Sequence, residues 1–441
     1  MRRSPSNPTD DEESTSPAAP AAAQHDPYSA WRYPSYRMFL AGHAVSVLGL
    51  QMQSVAVGWQ IYELTRNKLA LACVGLVQIV PVLAFALVAG HVADRFDRRR
   101  IVMACLTVVA LASAGLAIVS QQLWGERLEW QLAAIYGCLF ANGTARAFMQ
   151  PARASLLPLI VPRECFPNAV AWNMTVFQIA AVTGPAVGGL LIGMFHSASP
   201  AYVLDATAAI TFFALLSQIR GVPQATPSEP AGIKSPTAGI RFVWNNPILL
   251  GAMALDLFAV LLGGATILLP VYAKDILEVG PRGLGWMQAA PAAGALVMSF
   301  LLAHRPPLKR AGRALLLAVS GFGMATIVFG LSRSFELSLA MLFLTGVCDM
   351  VSVVVRHTLV QVLTPDEKRG RVSAINGVFI GASNELGGFE SGVVAWLFSP
   401  QVSVVVGGIG TLLVVLAAAI LFPPLRRFGR LDTATPDSSE T

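Results

Sequence analysis

The chain has 441 residues, of which 54% are hydrophobic and only 13% charged. A soluble chain carries about 25% charged residues, so this composition excludes an ordinary water-soluble domain and points to an integral membrane protein. The net charge of +6 sits mostly in short segments between long apolar runs, where it sets orientation in a bilayer and does not indicate nucleic-acid binding.

Residues 1–30, with Asp10-Asp11-Glu12-Glu13 and repeated Pro, Ser and Ala, read as a disordered tail. No basic-then-apolar segment with a cleavage site precedes Tyr36, so no signal peptide is expected. A helix needs about 20 apolar residues to cross a bilayer core. Segments near 36–62, 69–92, 101–121, 129–150, 168–195 and 199–219 meet that need, as do 247–272, 284–303, 313–332, 335–357, 371–398 and 401–422. The expected fold is an all-α membrane protein of twelve transmembrane helices. Pro223, Pro227, Pro230 and Pro236 mark residues 220–246 as a linker. It divides the chain into six-helix bundles at 31–219 and 247–425, with a polar tail at 426–441.

An even number of crossings puts both termini on one side. With that side cytoplasmic, the inner loops and flanks hold 21 Lys and Arg, including Arg95, Arg98, Arg99, Arg100, Arg305, Lys309, Arg310, Arg313, Lys368, Arg369 and Arg371. The outer loops hold 6: Arg66, Lys68, Arg127, Lys274, Arg282 and Arg333. Basic residues are retained inside, so both termini are expected in the cytoplasm.

The two halves repeat. Arg153, Leu156, Pro162, Glu164, Ala171 and Asn173 return at a constant offset of 203 as Arg356, Leu359, Pro365, Glu367, Ala374 and Asn376. Gln78 and Pro81 return as Gln288 and Pro291, at offset 210. Parallel repeats about an axis along the membrane normal build one class of secondary transporter.

Enzyme signatures are missing. The chain has no H-E-x-x-H and no G-x-x-x-x-G-K-[ST], so neither zinc chemistry nor ATP-driven transport is expected. The five cysteines form no C-x-x-C pair. No cofactor or metal is expected.

Charges inside the apolar segments are the candidate functional groups, because an intramembrane charge is costly and is paired or lines a cavity. Arg146 and Arg153 lie seven residues apart on the fourth segment, and Asp349 and Arg356 share that spacing on the tenth. At offset 203 Arg146 maps onto Asp349 with reversed charge, so the two are expected to face each other across a central cavity. Arg153 and Arg356 are placed at the inner ends, where long side chains can snorkel to headgroups. Asp205, Asp256, Glu385 and Glu390 also lie in apolar segments. Burial favours the neutral form of a carboxyl group, so Asp256, Asp349 and Glu385 are candidates for proton exchange. A structural hydrogen-bonding role is open for each.

The loop between the second and third segments reads Gly90-His91-Val92-Ala93-Asp94-Arg95-Phe96-Asp97-Arg98-Arg99-Arg100. Its spacing, Gly-x-x-x-Asp-Arg-x-x-Arg-Arg-Arg, resembles the corresponding loop of the major facilitator superfamily, with Asp97 in place of that family's second glycine. The fifth segment carries Gly184-Pro185-Ala-Val-Gly188-Gly189. This resembles the superfamily's proton-antiporter signature, with Ala171 and Ala180 where upstream glycines stand. Simple close packing of small residues is the other reading of that run. Further likeness lies in Pro151-Ala-Arg153 with Pro167-Asn168-Ala169, in Leu269-Pro270-Val271-Tyr272, and in Thr364-Pro365-Asp366-Glu367 through Gly370-Arg371-Val372. With Ser383-Asn384-Glu385-Leu386-Gly387 and Phe389-Glu390-Ser391-Gly392, these place the chain near enterobactin-exporter-like and macrolide-efflux-like members. Gly388 stands where those relatives tend to have an acid.

The resemblance covers residues 30–430. It implies proton-driven export of a small organic molecule such as a siderophore or drug, from a bacterial inner membrane, by a protein functional as a monomer. Gly90, Asp94, Arg95 and Arg98 would form a conformational latch, Asp94 meeting the start of the eleventh helix at Gly370-Arg371-Val372. An importer, or a non-transporting receptor or scaffold, is the alternative function.

Overall fold

The computed structural model describes residues 26–121, 127–219, 236–305 and 310–429. Among these residues the fold is helical, with no strand. The first half contains α1 (Pro34–Thr65), α2 (Lys68–Arg95), α3 (Arg98–Ser120), α4 (Leu128–Ile160), α5 (Phe166–Phe195) and α6 (Ser199–Gln218). A short α7 (Pro236–Asn245) precedes the second half. There follow α8 (Pro247–Leu262), α9 (Gly280–Ala303), α10 (Ala311–Leu331), α11 (Phe335–Leu363), α12 (Asp366–Leu397), α13 (Pro400–Leu421) and a turn of helix, α14 (Pro423–Arg427).

Ten spans among the described residues are long and apolar enough to cross a membrane. The protein is thus an integral, multi-pass membrane protein. α4 and α12 are just as long, at 33 and 32 residues, but carry more polar and charged side chains, including Arg146 and Arg153 on one and Glu385 and Glu390 on the other.

Local chemistry explains where the helices start and stop. Asp97 caps α3, its carboxylate accepting from the backbone N–H of Arg99 (2.9 Å) and Arg100 (3.3 Å). An acid is a favoured residue at that position, so this turn is held by a side-chain cap. Arg99 donates to the free carbonyls of Leu216 (2.9 Å) and Ser217 at the end of α6, and Arg98 donates to Ala93 O in α2 (3.4 Å). These arginines therefore satisfy helix carboxyl ends as well as adding positive charge.

The seventh segment is broken where one rod is expected. α8 stops at Gly263, and the chain continues through a 3-10 turn (Ala265–Leu268), an α turn (Leu269–Val271) and a π turn (Tyr272–Ile276). A Cβ at Gly264 would lie 2.6 Å from the Gly387 carbonyl carbon, so only glycine lets this segment cross α12 so closely. The linker also departs from expectation, since ten of its residues, Pro236–Asn245, form α7, where Lys368 of α12 lies over the Phe242 ring at 4.9 Å. At the amino end the expected tail is already anchored before residue 30. Asn168 and Trp172 of α5 both donate to Pro27 O, and Asn168 accepts from Ala30 N.

Within the first half, α1 packs on α5 and α6, α2 on α4, and α3 on α4 and α6. The second half repeats the plan: α8 packs on α12 and α13, α9 on α11, and α10 on α11 and α13. The halves meet through α5 on α9 and α2 on α12. The ends of the described chain, near Ala30 and Leu425, lie at one end of the bundle, called here the termini end; the other is the distal end. At the distal end one buried cluster joins the halves, with Val55, Ile61 and Tyr202 packed together with Leu269, Tyr272 and Phe329. At the termini end the cores are separate. Tyr36, Leu106 and Phe212 belong to one and Leu255, Leu315 and Leu359 to the other.

Candidate functional site: a central cavity closed at one end

Between the halves lies a cavity of about 610 Å³. Five amide side chains line it: Gln51 and Gln53 of α1, Gln78 of α2, Gln288 of α9 and Asn384 of α12. Gln78 and Gln288 are the pair related by offset 210, so the internal repeat converges on this space from both sides. Ser54 and Thr266 add hydroxyls, and Phe177, Pro185, Pro270 and Pro291 supply apolar wall. Two charges face the cavity, Arg146 and Glu385. Arg146 donates to Gln78 Oε1 at 3.1 Å. Glu385 sits against Gly75 of α2, where a Cβ would come within 2.9 Å of its Oε2.

The expected Arg146–Asp349 pair is not formed in this structure. Asp349 turns into the second half and shares a void of about 10 Å³ with Asp256 of α8 and Val319 and Phe322 of α10. Equal depth on related helices does not fix which face a side chain uses, and here the two faces differ. The acid that shares the cavity with Arg146 is Glu385. Gly388, one turn on, also lines the cavity.

The inner-end arginines are not snorkelling. Arg356 is 2% exposed and forms an ion pair with Asp256 of α8. Arg153 lies 3.1 Å through Nη1 from Nδ1 of His43 on α1. The guanidinium has only donors, so the imidazole nitrogen accepts. Each arginine thus reaches the first helix of its own half, finding a carboxylate in one and an imidazole in the other.

The fifth-helix run packs two ways. A Cβ at Gly184 would meet Gln51 Cβ at 2.5 Å, and one at Gly188 would meet Met52 Cα at 3.1 Å, so these two bring α5 against α1. Gly189 instead faces the other half. A Cβ there would lie 2.5 Å from Pro281 O and 2.7 Å from Gly285 Cα, while one on Gly285 would meet Pro185 O at 2.6 Å. These glycines therefore set backbone-to-backbone contact between the halves.

The distal end carries a set of polar contacts between the halves. Tyr62 donates to Asp275, Arg66 pairs with Asp275 at 3.0 Å, and Lys274 pairs with Glu63 and sits over Trp59 at 5.2 Å. Toward the termini end, a Cβ on Gly90, Gly377 or Gly381 would meet nothing within 4 Å. The cavity is thus closed distally by contacts between the halves, and at the termini end no buried cluster among the described residues joins them. Asp94 falls in the last turn of α2, but its side chain, like those of Glu367 and Arg371, lies outside the described residues, and so does the expected latch.

The family model described as transmembrane secretion effector matches residues 25–439. The chain belongs to that family of major facilitator transporters. Relatives of this secretion-effector chain include the enterobactin exporter EntS of Escherichia coli O1:K1 / APEC, 25% identical over 402 residues, 90% of this chain and 94% of that one. The exporter of the same name from Shigella boydii serotype 18 matches with the same identity and coverage. Solved structures show the same fold. A bacterial homologue of the iron transporter ferroportin, in an inward-facing state, has a TM-score of 0.67 at 15% identity, covering 89% of this chain and 99% of that one. A POT family transporter in complex with 5-aminolevulinic acid has a TM-score of 0.69 at 9% identity, covering 89% and 97%. A bacterial homologue of the lysosomal transporter Spinster, inward-facing and unoccupied, has a TM-score of 0.64 at 13% identity, covering 91% and 96%. The protein is a secondary transporter and not an enzyme.

Proposed function

We propose that this transporter exports a small, hydrogen-bonding organic molecule of the siderophore class from the bacterial cytoplasm across the inner membrane, in exchange for protons. The observation that carries the reading is the cavity, with five amides, Arg146 and Glu385 on its wall, beneath a sealed distal end. Amides and one charge of each sign suit a polar substrate bearing donors and acceptors. The similarity to enterobactin exporters supports both the direction and the substrate class. The excess of basic residues at the termini end supports a cytoplasmic location for both termini, which makes the described conformation open to the cytoplasm.

In this reading α1–α6 (within 31–219) and the helices of 247–425 are two six-helix bundles, twelve crossings in all, joined by a cytoplasmic linker. They rock about the cavity in a single chain. Release to the outside requires the distal contacts Tyr62–Asp275, Arg66–Asp275 and Glu63–Lys274 to part. Asp94 with Gly90, Arg95 and Arg98 then latches the cytoplasmic end in the opposite state. Glu385, Asp349 and Asp256 are candidate carriers of the exchanged proton.

The reading is tested in cells that make enterobactin but lack their own exporter. Expression of this chain should move enterobactin from the cell pellet to the medium. An unchanged distribution at full membrane expression would refute enterobactin as a substrate, and an increase in cell-associated enterobactin would point to import.

A further inference from the structure

Asp205 of α6 is 2% exposed and lies deep in the first half. Among the described residues it has no cationic partner in an ion pair. Its surroundings make room for it. Gly49 of α1 packs on the carboxyl so closely that a Cβ would fall 2.6 Å from Oδ1. Ser113 of α3, fully buried, donates to Oδ2 at 2.6 Å. Ser113 in turn accepts from Gln53 Nε2 at 2.9 Å, and Gln53 Oε1 accepts from Asn142 Nδ2 at 3.3 Å. Four side chains from α6, α3, α1 and α4 thus form one hydrogen-bonded chain. Gln53 is part of the wall of the central cavity.

Among the described residues no charged side chain is hydrogen-bonded or ion-paired to this carboxyl, and Arg146 lies one turn beyond Asn142 on α4, at the far end of the hydrogen-bonded chain. On α1 the ionisable side chain toward the termini end is His43, six residues from Gly49 and about 9 Å along the helix. On α3 it is Cys105, eight residues from Ser113. α5 carries no ionisable side chain apart from Cys165 at its amino-terminal cap, and on α6 itself Tyr202 donates to Gln60 at 2.6 Å. The contrast with Asp256, which has Arg356, and Glu385, which shares its cavity with Arg146, is direct. A buried carboxylate without a cation is held at far lower cost as the neutral acid.

The chain can run in either direction. With Asp205 ionised, donation runs Asn142 to Gln53 to Ser113 to Asp205, and Asn142 Oδ1 is left buried with no partner. With Asp205 protonated, its O–H donates to Ser113 Oγ and the serine hydrogen turns to Gln53. Rotation of both the Gln53 and Asn142 amides then presents Gln53 Oε1 to Ser113 and Gln53 Nε2 to Asn142 Oδ1. Asn142 Oδ1 gains a donor while Asn142 Nδ2 gives up Gln53 as its acceptor, so three hydrogen bonds are kept, each reversed, and the only covalent change is the O–H formed by the one proton taken up.

We propose that Asp205 is a proton-binding site of the transport cycle, whose occupancy sets the direction of the Ser113–Gln53–Asn142 chain at the cavity wall. The transport role rests on the proton-coupling reading above; the site itself does not.

The test is infrared difference spectroscopy on the full-length protein in lipid, titrated with acid so that the hydronium ion alone is the probe. The wild type should show a protonated-carboxyl stretch that grows as pH falls. Asp205→Asn should remove that band, while Asp349→Asn and Glu385→Gln retain it. Ser113→Ala should keep the band but move its frequency, a change that a purely structural serine would not produce. A spectrum of Asp205→Asn identical to wild type, or an Asp205 band that ignores pH, would overturn the proposal. Since Asp205→Asn preserves shape, a monodisperse preparation of it suffices, and Ser113→Ala reads the same group if that variant fails to fold. A titrating Asp205 band in a protein that moves no protons with its substrate would support the site and overturn proton coupling.

Discussion

Arg356 of α11 and Asp256 of α8 form an ion pair at 2% and 9% side-chain exposure, holding the first and fourth helices of the second half together. Beside it Ser352 Oγ is buried without a hydrogen-bond partner, and Asp349 shares the adjoining void. Removing one partner leaves a buried charge uncompensated, which costs about 3–5 kcal/mol, whereas replacing both by apolar residues is close to neutral. Arg356→Met and Asp256→Leu should each lower the thermal unfolding temperature of the purified protein, and the double variant should recover most of the loss. Additive losses would show that the pair is not the dominant interaction at either residue.

The distal contacts should act as a weak latch. Arg66 and Asp275 are 58% and 38% exposed, and exposed ion pairs contribute about 0.2–1 kcal/mol. Asp275→Asn loses the Arg66 pair and weakens the Tyr62 contact. It should raise the population open at the distal end by up to about fivefold and leave folding intact. Spin labels at residues 129 and 333, exposed at the distal ends of opposite halves, would read the change as a longer distance component. An unchanged distribution would mean that the apolar cluster below, with Ile61 and Leu269, carries the closure alone.

Gly189 and Gly285 bring α5 and α9 into backbone contact across the halves. A branched side chain cannot occupy that space without parting the helices, because the atoms it would meet are backbone. Gly189→Val should therefore abolish transport while the protein still reaches the membrane, and should hold the distal end open to a cysteine reagent. Gly188→Ala, which packs within the first half, should be milder. Equal transport by Gly189→Val and wild type would remove the crossing from the mechanism.

In the cavity, Arg146 and Glu385 should determine substrate affinity. A hydrogen bond to a charged group is worth about 1.5–3 kcal/mol, so Arg146→Gln should weaken enterobactin binding by about tenfold or more. Tryptophan fluorescence titration of the purified protein would measure it. Asp349→Asn, inside the second half, should leave that affinity unchanged. Weaker binding in Asp349→Asn than in Arg146→Gln would restore a cavity role to Asp349.

The fold was legible because its signals are one-dimensional. Apolar length marks the helices, and the offset of 203 links Arg153 to Arg356 whatever their side chains do. The cavity was legible in part. Offset 210 singles out Gln78 and Gln288, but the azimuth of a side chain depends on which helices cover it, and Asp349 lines the void beside Asp256 instead of the central cavity. Snorkelling was the default for Arg356 because sequence cannot show that Asp256 lies opposite it. The distal contacts were hidden for the same reason, since Tyr62 and Asp275 are 213 residues apart. Asp205 was visible as an intramembrane acid, but its chain to Gln53 is made by three helices meeting in space.

Proton-driven export is tested most directly in proteoliposomes carrying enterobactin outside and a pH dye within, with the protein inserted so that its termini face outward. With an acidic lumen, enterobactin should accumulate inside above its outside concentration while protons leave the lumen, and dissipating the gradient should stop both. Enterobactin entry at the same rate and to the same level without the gradient would contradict proton-driven export.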